Sequence, residues 1–222
     1  KNYIACFNEY YNQDDVPIKD RETAEGHCVR ALYLMCGAAD VAQEYGDKEL
    51  RSACERFFDN IVHKRMYITG GVGSSYIGEA FTVDYDLPNK TAYAETCAAI
   101  ALAMFSSRML KFGADSKYAD IVERTIYNGV MSGVSLDGKS FFYENPLEID
   151  PDFNNINTST KQKEHFPITQ RLEVFGCSCC PPNILRFVAS VAGFLYGFDE
   201  DTVYVHQYMD SKAQTDSIRI TQ

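Results

Sequence analysis

The sequence predicts an all-α protein in which paired helices form part of an α/α toroid, followed by the start of a β-domain. Apolar residues recur at helical spacing in successive segments, and the turns that join them are alternately short and long. Beyond about residue 201 the pattern changes to the alternation of period two that is typical of strands. We therefore assign residues 1–200 to the helical domain and residues 201–222 to the β-domain.

The first helical pair is predicted over residues 25–45 and 48–65. Gly46 and Asp47 separate the two helices, since glycine commonly ends a helix and aspartate begins one. Further helices are predicted over residues 97–112, 117–134 and 183–196 from the same apolar spacing.

Irregular and extended segments lie between these helices. The pair Asp137-Gly138 indicates a tight turn that leads into a short strand over residues 140–147. Residues 150–170 are predicted to form a long polar loop. Alternation predicts strands over residues 202–208 and 217–221.

Composition narrows the classes of function. The chain has 222 residues, of which 45% are hydrophobic, so it can bury a core, and it has no apolar run of membrane-spanning length. A net charge of −10 argues against nucleic-acid binding and leaves a small molecule as the expected partner.

The ends of the chain predict a fragment of a longer protein. It opens on Lys1 without an initiator Met and ends inside a predicted strand. A barrel that lacks helices exposes the inner apolar faces of its remaining ones, so we expect self-association into a homo-oligomer. The sequence does not distinguish between a cytoplasmic and a periplasmic location in a bacterium.

The glycine-rich stretch over residues 70–73 is not a phosphate-binding loop. It lacks a following Lys-Ser/Thr pair and the spacing of a dinucleotide fingerprint. We interpret it as a loop that approaches an active site closely, because glycine permits unusual dihedral angles. Glu79 follows it, and two interpretations stay open: a solvated loop carboxylate or an acid/base residue.

The segment Cys177–Asn183 carries the strongest chemical signal. Adjacent cysteines such as Cys179 and Cys180 cannot form an unstrained disulfide with each other. The Pro181-Pro182 step predicts a rigid turn that keeps Cys180 out of helical conformation. A turn that presents sulfurs to one point suits a soft metal ion or a reactive thiolate.

Glu95 and Cys97 complete a set of four donors with Cys179 and Cys180, the number that tetrahedral zinc binds. In an ideal helix Glu95 and Cys97 would point about 200° apart, so the helix should begin at or after Thr96. The alternative for Glu95 is a carboxylate that only interacts with the dipole of a helix N-terminus.

The remaining cysteines and His27 have simpler interpretations. Cys6, Cys28, Cys36 and Cys54 are predicted to be small buried hydrophobic residues. Burial is also favoured for Cys177, although it could replace a neighbouring ligand. His27 is either a first-turn residue of its helix or a hydrogen-bond donor that faces a substrate.

Several blocks of the sequence, in this order and spacing, resemble the β-L-arabinofuranosidase family of glycoside hydrolases, family 127. They are Gly70–Ser74, Gly78–Phe81, Tyr93–Cys97, Glu123–Asn128, Leu136–Gly138, Phe141–Leu147 and Cys179–Asn183 with Arg186. The resemblance extends from about His27 to Arg186.

The resemblance implies an (α/α)6 barrel with appended β-domains, a zinc ion, and hydrolysis of terminal β-L-arabinofuranosides with retention of configuration. By position, the implied zinc ligands are Glu95, Cys97, Cys179 and Cys180. Cys179 would be the nucleophile and Glu79 the general acid/base. His27, Glu123 and Tyr143 would bind the oligosaccharide substrate.

A second hypothesis from another class is a non-catalytic protein that binds carbohydrate or uses zinc only as a structural staple. Four protein ligands are typical of structural zinc sites. A solvent-reachable Cys179 near Glu79 would favour the enzyme, and a sealed site would favour the staple.

Overall fold

The protein is described by a computed structural model over residues 9–149, 170–174 and 176–222. The predicted polar loop over residues 150–170 lies outside this part of the chain except for Gln170. The helices are α1 (Glu9–Asn12), α2 (Cys28–Tyr45), α3 (Lys48–Asn60), α4 (Thr96–Met109), α5 (Ser116–Arg124) and α6 (Cys180–Ala189).

Helices α2 and α3 form the predicted hairpin. Gly46 ends α2 in the left-handed region, at φ 62°. Asp47 caps α3, because its carboxylate accepts hydrogen bonds from the backbone N–H groups of Glu49 and Leu50, both at 3.1 Å. A π-helical turn, Ile61–Arg65, continues α3 to the end of the predicted helix.

Helix α4 is the centre of the core. Its residues 96–103 are buried on all sides, as expected of a helix that is apolar around its whole circumference. On one side it packs with α2 and α3 through Leu102 and Phe105. On the other side it packs with α5 and α6 through Ile100 and Ala103.

The fourth predicted helix is regular only in its first half. After α5, a π-helical segment (Thr125–Val130) and a 3₁₀ segment (Met131–Gly133) replace regular α-helix. Gly129 lies against α4, where an added Cβ would meet Ala99 Cβ at 3.0 Å. The close approach of the two segments therefore requires a residue without a side chain.

The fifth helix differs from its prediction at both ends. It begins at Cys180, with the two prolines in its first turn. The backbone N–H groups of the first turn have no acceptor within the helix, so proline, which lacks this group, loses no hydrogen bond there. The prolines therefore start the helix instead of forming a separate turn. The α-helix ends at Ala189, and a 3₁₀ segment (Val191–Phe194) follows.

The predicted strand over residues 140–147 is wrong. Only Phe141 forms isolated bridges, with Val134 and Leu172. Regular pairing stops because Tyr143 O accepts a hydrogen bond from the start of α4 and Pro146 has no N–H to donate. The turn at Gly138 is confirmed: its N–H donates to Ser135 O at 2.9 Å, and its φ is 71°.

Strands appear near the C-terminus, as predicted. β1 (Tyr196–Phe198) pairs antiparallel with β2 (Val203–Val205), and β3 (Lys212–Gln214) pairs with β4 (Arg219–Thr221). The first strand precedes residue 201, and the position of the domain boundary stays a prediction. Buried Gln207 links this region to the helices, since its Nε2 donates to Ala119 O at 3.0 Å.

Some apolar side chains of the helices face solvent. Leu34 and Val41 of α2 and Leu185 and Val188 of α6 are exposed. Self-association itself stays a prediction. Among the described residues, every helix is too short or too polar to span a lipid bilayer.

Candidate active site

The segment before α4 breaks the helix where the sequence requires it. α4 begins at Thr96, and Glu95 precedes it in an extended conformation, at φ −60° and ψ 137°. Ala94 lies in the left-handed region, at φ 41°, which is strained for a residue with a Cβ. Its N–H donates to Gly73 O at 2.8 Å, and Asn145 Nδ2 donates to its carbonyl at 2.8 Å. The glycine loop and Asn145 therefore hold Glu95 and Cys97 on one side of the chain.

Four donor atoms converge between the starts of α4 and α6. Cys97 Sγ lies 3.7 Å from Cys179 Sγ and 3.5 Å from Cys180 Sγ. Cys179 Sγ and Cys180 Sγ are 3.7 Å apart. Glu95 Oε1 lies 3.5 Å from Cys179 Sγ and 4.0 Å from Cys180 Sγ. The predicted convergence of the four side chains is confirmed.

These distances fit a tetrahedral zinc ion. Zn–S bonds of about 2.3 Å at tetrahedral angles separate two sulfurs by about 3.8 Å. Glu95 Oε2 is buried and has no hydrogen-bond partner among the described residues, as expected of an atom placed for a cation. Burial, together with the negative charges of Glu79 and Cys179, raises the pKa of Glu95 to about 9. A divalent cation would offset this repulsion.

Among the clustered thiols, Cys179 ionises most readily. Hydrogen bonds from Cys180 and Cys97 lower the pKa of Cys179, and the Tyr143 hydroxyl acts in the same direction. The same contact with Cys179 raises the pKa values of Cys97 and Cys180. Cys179 is also the one member of the four donors that is not fully buried. The thiolate character and the access that a nucleophile needs therefore coincide at this sulfur.

Glu79 stands beside this cluster in a tight turn. Gly78 and Glu79 both have positive φ, 70° and 52°, and the turn is closed by the pairing of Ser75 with Ala80. Glu79 Oε2 lies 2.8 Å from His27 Nε2, and Glu79 Oε1 accepts a hydrogen bond from Tyr93 at 2.9 Å. The hydrogen bond from His27 lowers the pKa of Glu79, burial opposes this effect, and Tyr93 supports it.

His27 and Glu79 lie close to Glu95, one of the four converging donors. His27 precedes the first turn of α2, and its side chain does not cap that helix. One ligand atom of each of His27, Glu79 and Glu95 lies within 4.8 Å of the others. Of the two interpretations of His27, the structure therefore favours the residue that faces the site.

Tyr143 contacts the same site from the segment after the 137–138 turn. Its hydroxyl lies 3.2 Å from Cys179 Sγ, at hydrogen-bond distance. Its ring meets that of Tyr93 edge to face, with centroids 6.3 Å apart. The two tyrosines thus line the space between Cys179 and Glu79.

Two residues stand apart from these contacts. Glu123 is exposed near the end of α5 and makes no hydrogen bond or ion pair with the described residues, so its role in substrate binding stays a prediction. The predicted burial of Cys177 is wrong, because it lies in an exposed segment before α6. Its thiol nevertheless interacts with Cys179 and helps to lower the pKa of that residue. Cys28, Cys36 and Cys54 are buried as predicted, and Cys6 lies outside the described residues.

Tyr93 is a site residue that the sequence interpretation did not assign. It lies two positions before Glu95, but Ala94 between them is in the left-handed region, so the alternation of an extended segment does not place its side chain. Its hydroxyl reaches Glu79 through tertiary packing, a contact that no local spacing reveals.

Comparison with known proteins assigns the chain to a family. The sequence model of the beta-L-arabinofuranosidase GH127 catalytic domain matches residues 4–193. The chain belongs to this family. A curated relative, the non-reducing end beta-L-arabinofuranosidase of Bifidobacterium longum subsp. longum, is 43% identical over 213 residues, which are 95% of this chain and 32% of the relative.

Solved structures of the GH127 family share the fold. A GH127 beta-L-arabinofuranosidase from Geobacillus stearothermophilus T6 matches with a TM-score of 0.89 and 43% identity, over 98% of this chain and 35% of that one. A second GH127 beta-arabinofuranosidase matches with a TM-score of 0.82 and 44% identity, over 92% of this chain and 30% of that one. The predicted fold class, part of an (α/α)6 barrel, is confirmed. The chain spans about a third of the length of the relatives that it matches.

Proposed function

We propose that this chain carries catalytic residues of a retaining glycoside hydrolase that cleaves terminal β-L-arabinofuranosides. The observation that carries the proposal is the state of Cys179, which is partly exposed and has a lowered pKa. It lies among the four converging donors, next to the carboxylate of Glu79. Membership of the GH127 family supports the substrate class.

Glu95, Cys97, Cys179 and Cys180 would hold the zinc ion. When bound, zinc would keep the cysteine sulfurs ionised at neutral pH and so remove the need for a separate base. The small separations of these donors support this assignment, since the side chains need little rearrangement to share one ion.

In the first step of the proposed reaction, Cys179 Sγ attacks the anomeric carbon of the sugar. A carbon–sulfur bond forms, the bond to the leaving oxygen breaks, and Glu79 donates a proton to that oxygen. In the second step Glu79 takes a proton from water, the water oxygen attacks the same carbon, and Cys179 leaves as a thiolate. Each step inverts the anomeric centre, so the product retains the configuration of the substrate.

The neighbours of Glu79 suit a residue that both gives and takes a proton. His27 and Tyr93 hold one oxygen each of its carboxylate, which fixes the direction of proton transfer. Because the pKa of Glu79 is lowered, the carboxylate is ionised before substrate binds and must receive a proton for the first step. The imidazole of His27, at 2.8 Å, is placed to deliver it.

Tyr143 would assist Cys179 during the reaction. Its hydroxyl can donate a hydrogen bond to the thiolate when the sugar leaves in the second step, which stabilises the departing charge. Tyr143 and His27 are the proposed substrate contacts among the clustered residues. A role of Glu123 in substrate binding is proposed only from its position in the family pattern.

The second candidate is a non-catalytic protein in which zinc only joins the start of α6 to the start of α4. A set of four protein ligands is typical of such structural sites. The burial of Glu95, Cys97 and Cys180 agrees with it, but the partial exposure of Cys179 favours the enzyme.

A panel of aryl furanosides and pyranosides, assayed with the full-length protein, tests the proposed function. We expect turnover of the β-L-arabinofuranoside in preference to the other sugars. Proton NMR of the first product formed should show the β anomer, because two inversions retain configuration. Absence of turnover for every sugar in the panel, from a folded protein that contains zinc, would favour the structural candidate.

Removal of the metal should affect stability and activity together. Treatment with a strong chelator is expected to abolish turnover and to lower the thermal midpoint of unfolding by roughly 10 °C, because a tightly bound ligand stabilises only the folded state. Zinc added back should restore both properties, whereas magnesium should restore neither, since thiolates prefer soft ions. Unchanged activity in a protein shown to be metal-free would contradict the proposed ligand set.

A further inference from the structure

Asn145 belongs to a block of the family pattern, but the proposed reaction gives it no role. Its backbone N–H donates a hydrogen bond to Tyr93 O at 3.1 Å, and Thr96 N donates to Tyr143 O at 2.9 Å. These two bonds join the segment before α4 to the segment after the 137–138 turn. Both segments carry residues of the candidate site, so a shift of one against the other would change the site.

The side chain of Asn145 adds a second set of contacts. Its Nδ2 donates to Ala94 O at 2.8 Å and to Thr96 Oγ1 at 3.0 Å. Thr96 Oγ1 in turn donates to Phe142 O at 2.7 Å, so its oxygen is free to accept from the amide. Both N–H groups of the Asn145 amide are therefore used, and they bind the two residues on either side of Glu95.

The conformation of Ala94 makes these contacts important for Glu95. Ala94 lies in the left-handed region, at φ 41°, where a residue with a Cβ is strained. Its carbonyl is part of the planar peptide group that leads into Glu95, so the direction of this carbonyl constrains the backbone there. A hydrogen bond to that carbonyl opposes the relaxation of Ala94 to a commoner conformation. Ala94 is only 2% exposed, so water cannot easily replace a lost donor.

We propose that Asn145 is a positioning residue for the candidate metal site: its amide holds the residues on either side of Glu95, so that the carboxylate of Glu95 points to the three sulfurs. The inference rests on the proposed zinc ligand set. Glu95 Oε1 lies 3.5 Å from Cys179 Sγ, and a small change in the backbone would move this oxygen away from a shared ion. Groups that contact the ligands of a metal commonly fix the orientation of those ligands in this way.

The test is the replacement Asn145→Leu in the full-length protein, which keeps the branched shape of the side chain but removes both N–H donors. We expect zinc affinity, measured in competition with a chromophoric chelator, to fall by about 10- to 100-fold. In the cobalt-substituted variant the ligand-field bands should change, because the carboxylate of Glu95 leaves its place. The thiolate-to-cobalt charge-transfer bands should keep their intensity, since all three sulfurs still bind. A residue needed only for folding would lower the thermal midpoint of unfolding and leave the ligand-field bands unchanged.

A second replacement, Ala94→Gly, tests the route by which Asn145 acts. Glycine adopts positive φ without strain, so it does not drive the backbone away from its path when the amide is lost. Ala94→Gly combined with Asn145→Leu should therefore bind zinc more tightly than Asn145→Leu alone, with ligand-field bands closer to those of the wild type. A double variant that binds zinc no more tightly would overturn the proposed role.

Two further variants complete the comparison. Asn128→Leu, the same replacement at an exposed asparagine that lines the same cavity as Asn145, should leave the affinity and the spectrum unchanged. Thr96→Val, which removes the hydroxyl that accepts from Asn145, should weaken zinc binding in the same direction but by less. It also serves as the test if Asn145→Leu does not fold.

The outcomes separate this inference from the proposed function. If the wild-type protein binds zinc, and both Asn145→Leu and Thr96→Val bind it equally well with unchanged spectra, the positioning role is overturned and the ligand set stands. If the wild-type protein binds no zinc, the ligand set and the positioning role fail together.

Discussion

Replacement of Cys179 by serine is expected to lower kcat/KM toward an aryl β-L-arabinofuranoside by roughly 10⁴-fold or more, as loss of a nucleophile does in other covalent enzymes. The sulfur of Cys179 is the reacting atom of the proposal, and its hydrogen bonds from Cys97 and Cys180 favour the thiolate. A serine hydroxyl at the same place has a much higher pKa and stays protonated. The measurement is steady-state turnover by the full-length protein, together with the zinc content of the variant.

Cys177→Ser is the matched control for this experiment. Cys177 lies two positions away, is exposed, and influences Cys179 only as one of several donors. We expect its replacement to change kcat/KM by less than about tenfold. A Cys179→Ser variant that keeps activity close to that of the wild type would contradict the assignment of the nucleophile.

Replacement of Glu79 by glutamine is expected to have an effect that depends on the leaving group. For a sugar leaving group, which needs a proton, kcat/KM should fall by about 10³- to 10⁴-fold. For a nitrophenyl leaving group, which departs without one, the fall should be far smaller. The second step also loses its base, so a burst of nitrophenol should precede slow turnover. Added azide, which needs no base, should accelerate that turnover and yield the β-glycosyl azide.

Glu148→Gln provides the control for Glu79. Glu148 is an exposed carboxylate paired with Lys90 at 3.3 Å. Its replacement should leave kcat/KM unchanged for both substrates. Equal losses for the two leaving groups in Glu79→Gln, without a response to azide, would show that Glu79 is not the acid/base residue.

The sequence predicted the helices well where apolar residues recur regularly along one face. The α2–α3 hairpin and the buried α4 follow from apolar spacing, glycine ends and an aspartate cap. It did not predict the irregular turns at Ile61–Arg65 and Thr125–Val130, because they depend on packing between distant segments. The supposed strand after Gly138 failed for a similar reason, since its backbone pairs with the start of α4.

The candidate site was predictable to the extent that local spacing constrains it. Glu95 and Cys97 can share one ion only if the helix starts between them, and α4 does start there. The tertiary contacts were not predictable in this way. Tyr93 reaches Glu79, and Tyr143 reaches Cys179 from 36 residues away, so no local pattern reveals either contact.

The account depends most on the claim that Cys179 is the atom that attacks the sugar. Its most direct test is mass spectrometry of the full-length protein after reaction with a β-L-arabinofuranose-configured epoxide, which traps the residue that attacks the anomeric carbon. The account predicts one sugar adduct per chain, located on the peptide that contains Cys179 and absent from the Cys179→Ser variant. An adduct on Glu79, on Glu95 or on Cys177 in the wild-type protein would contradict it.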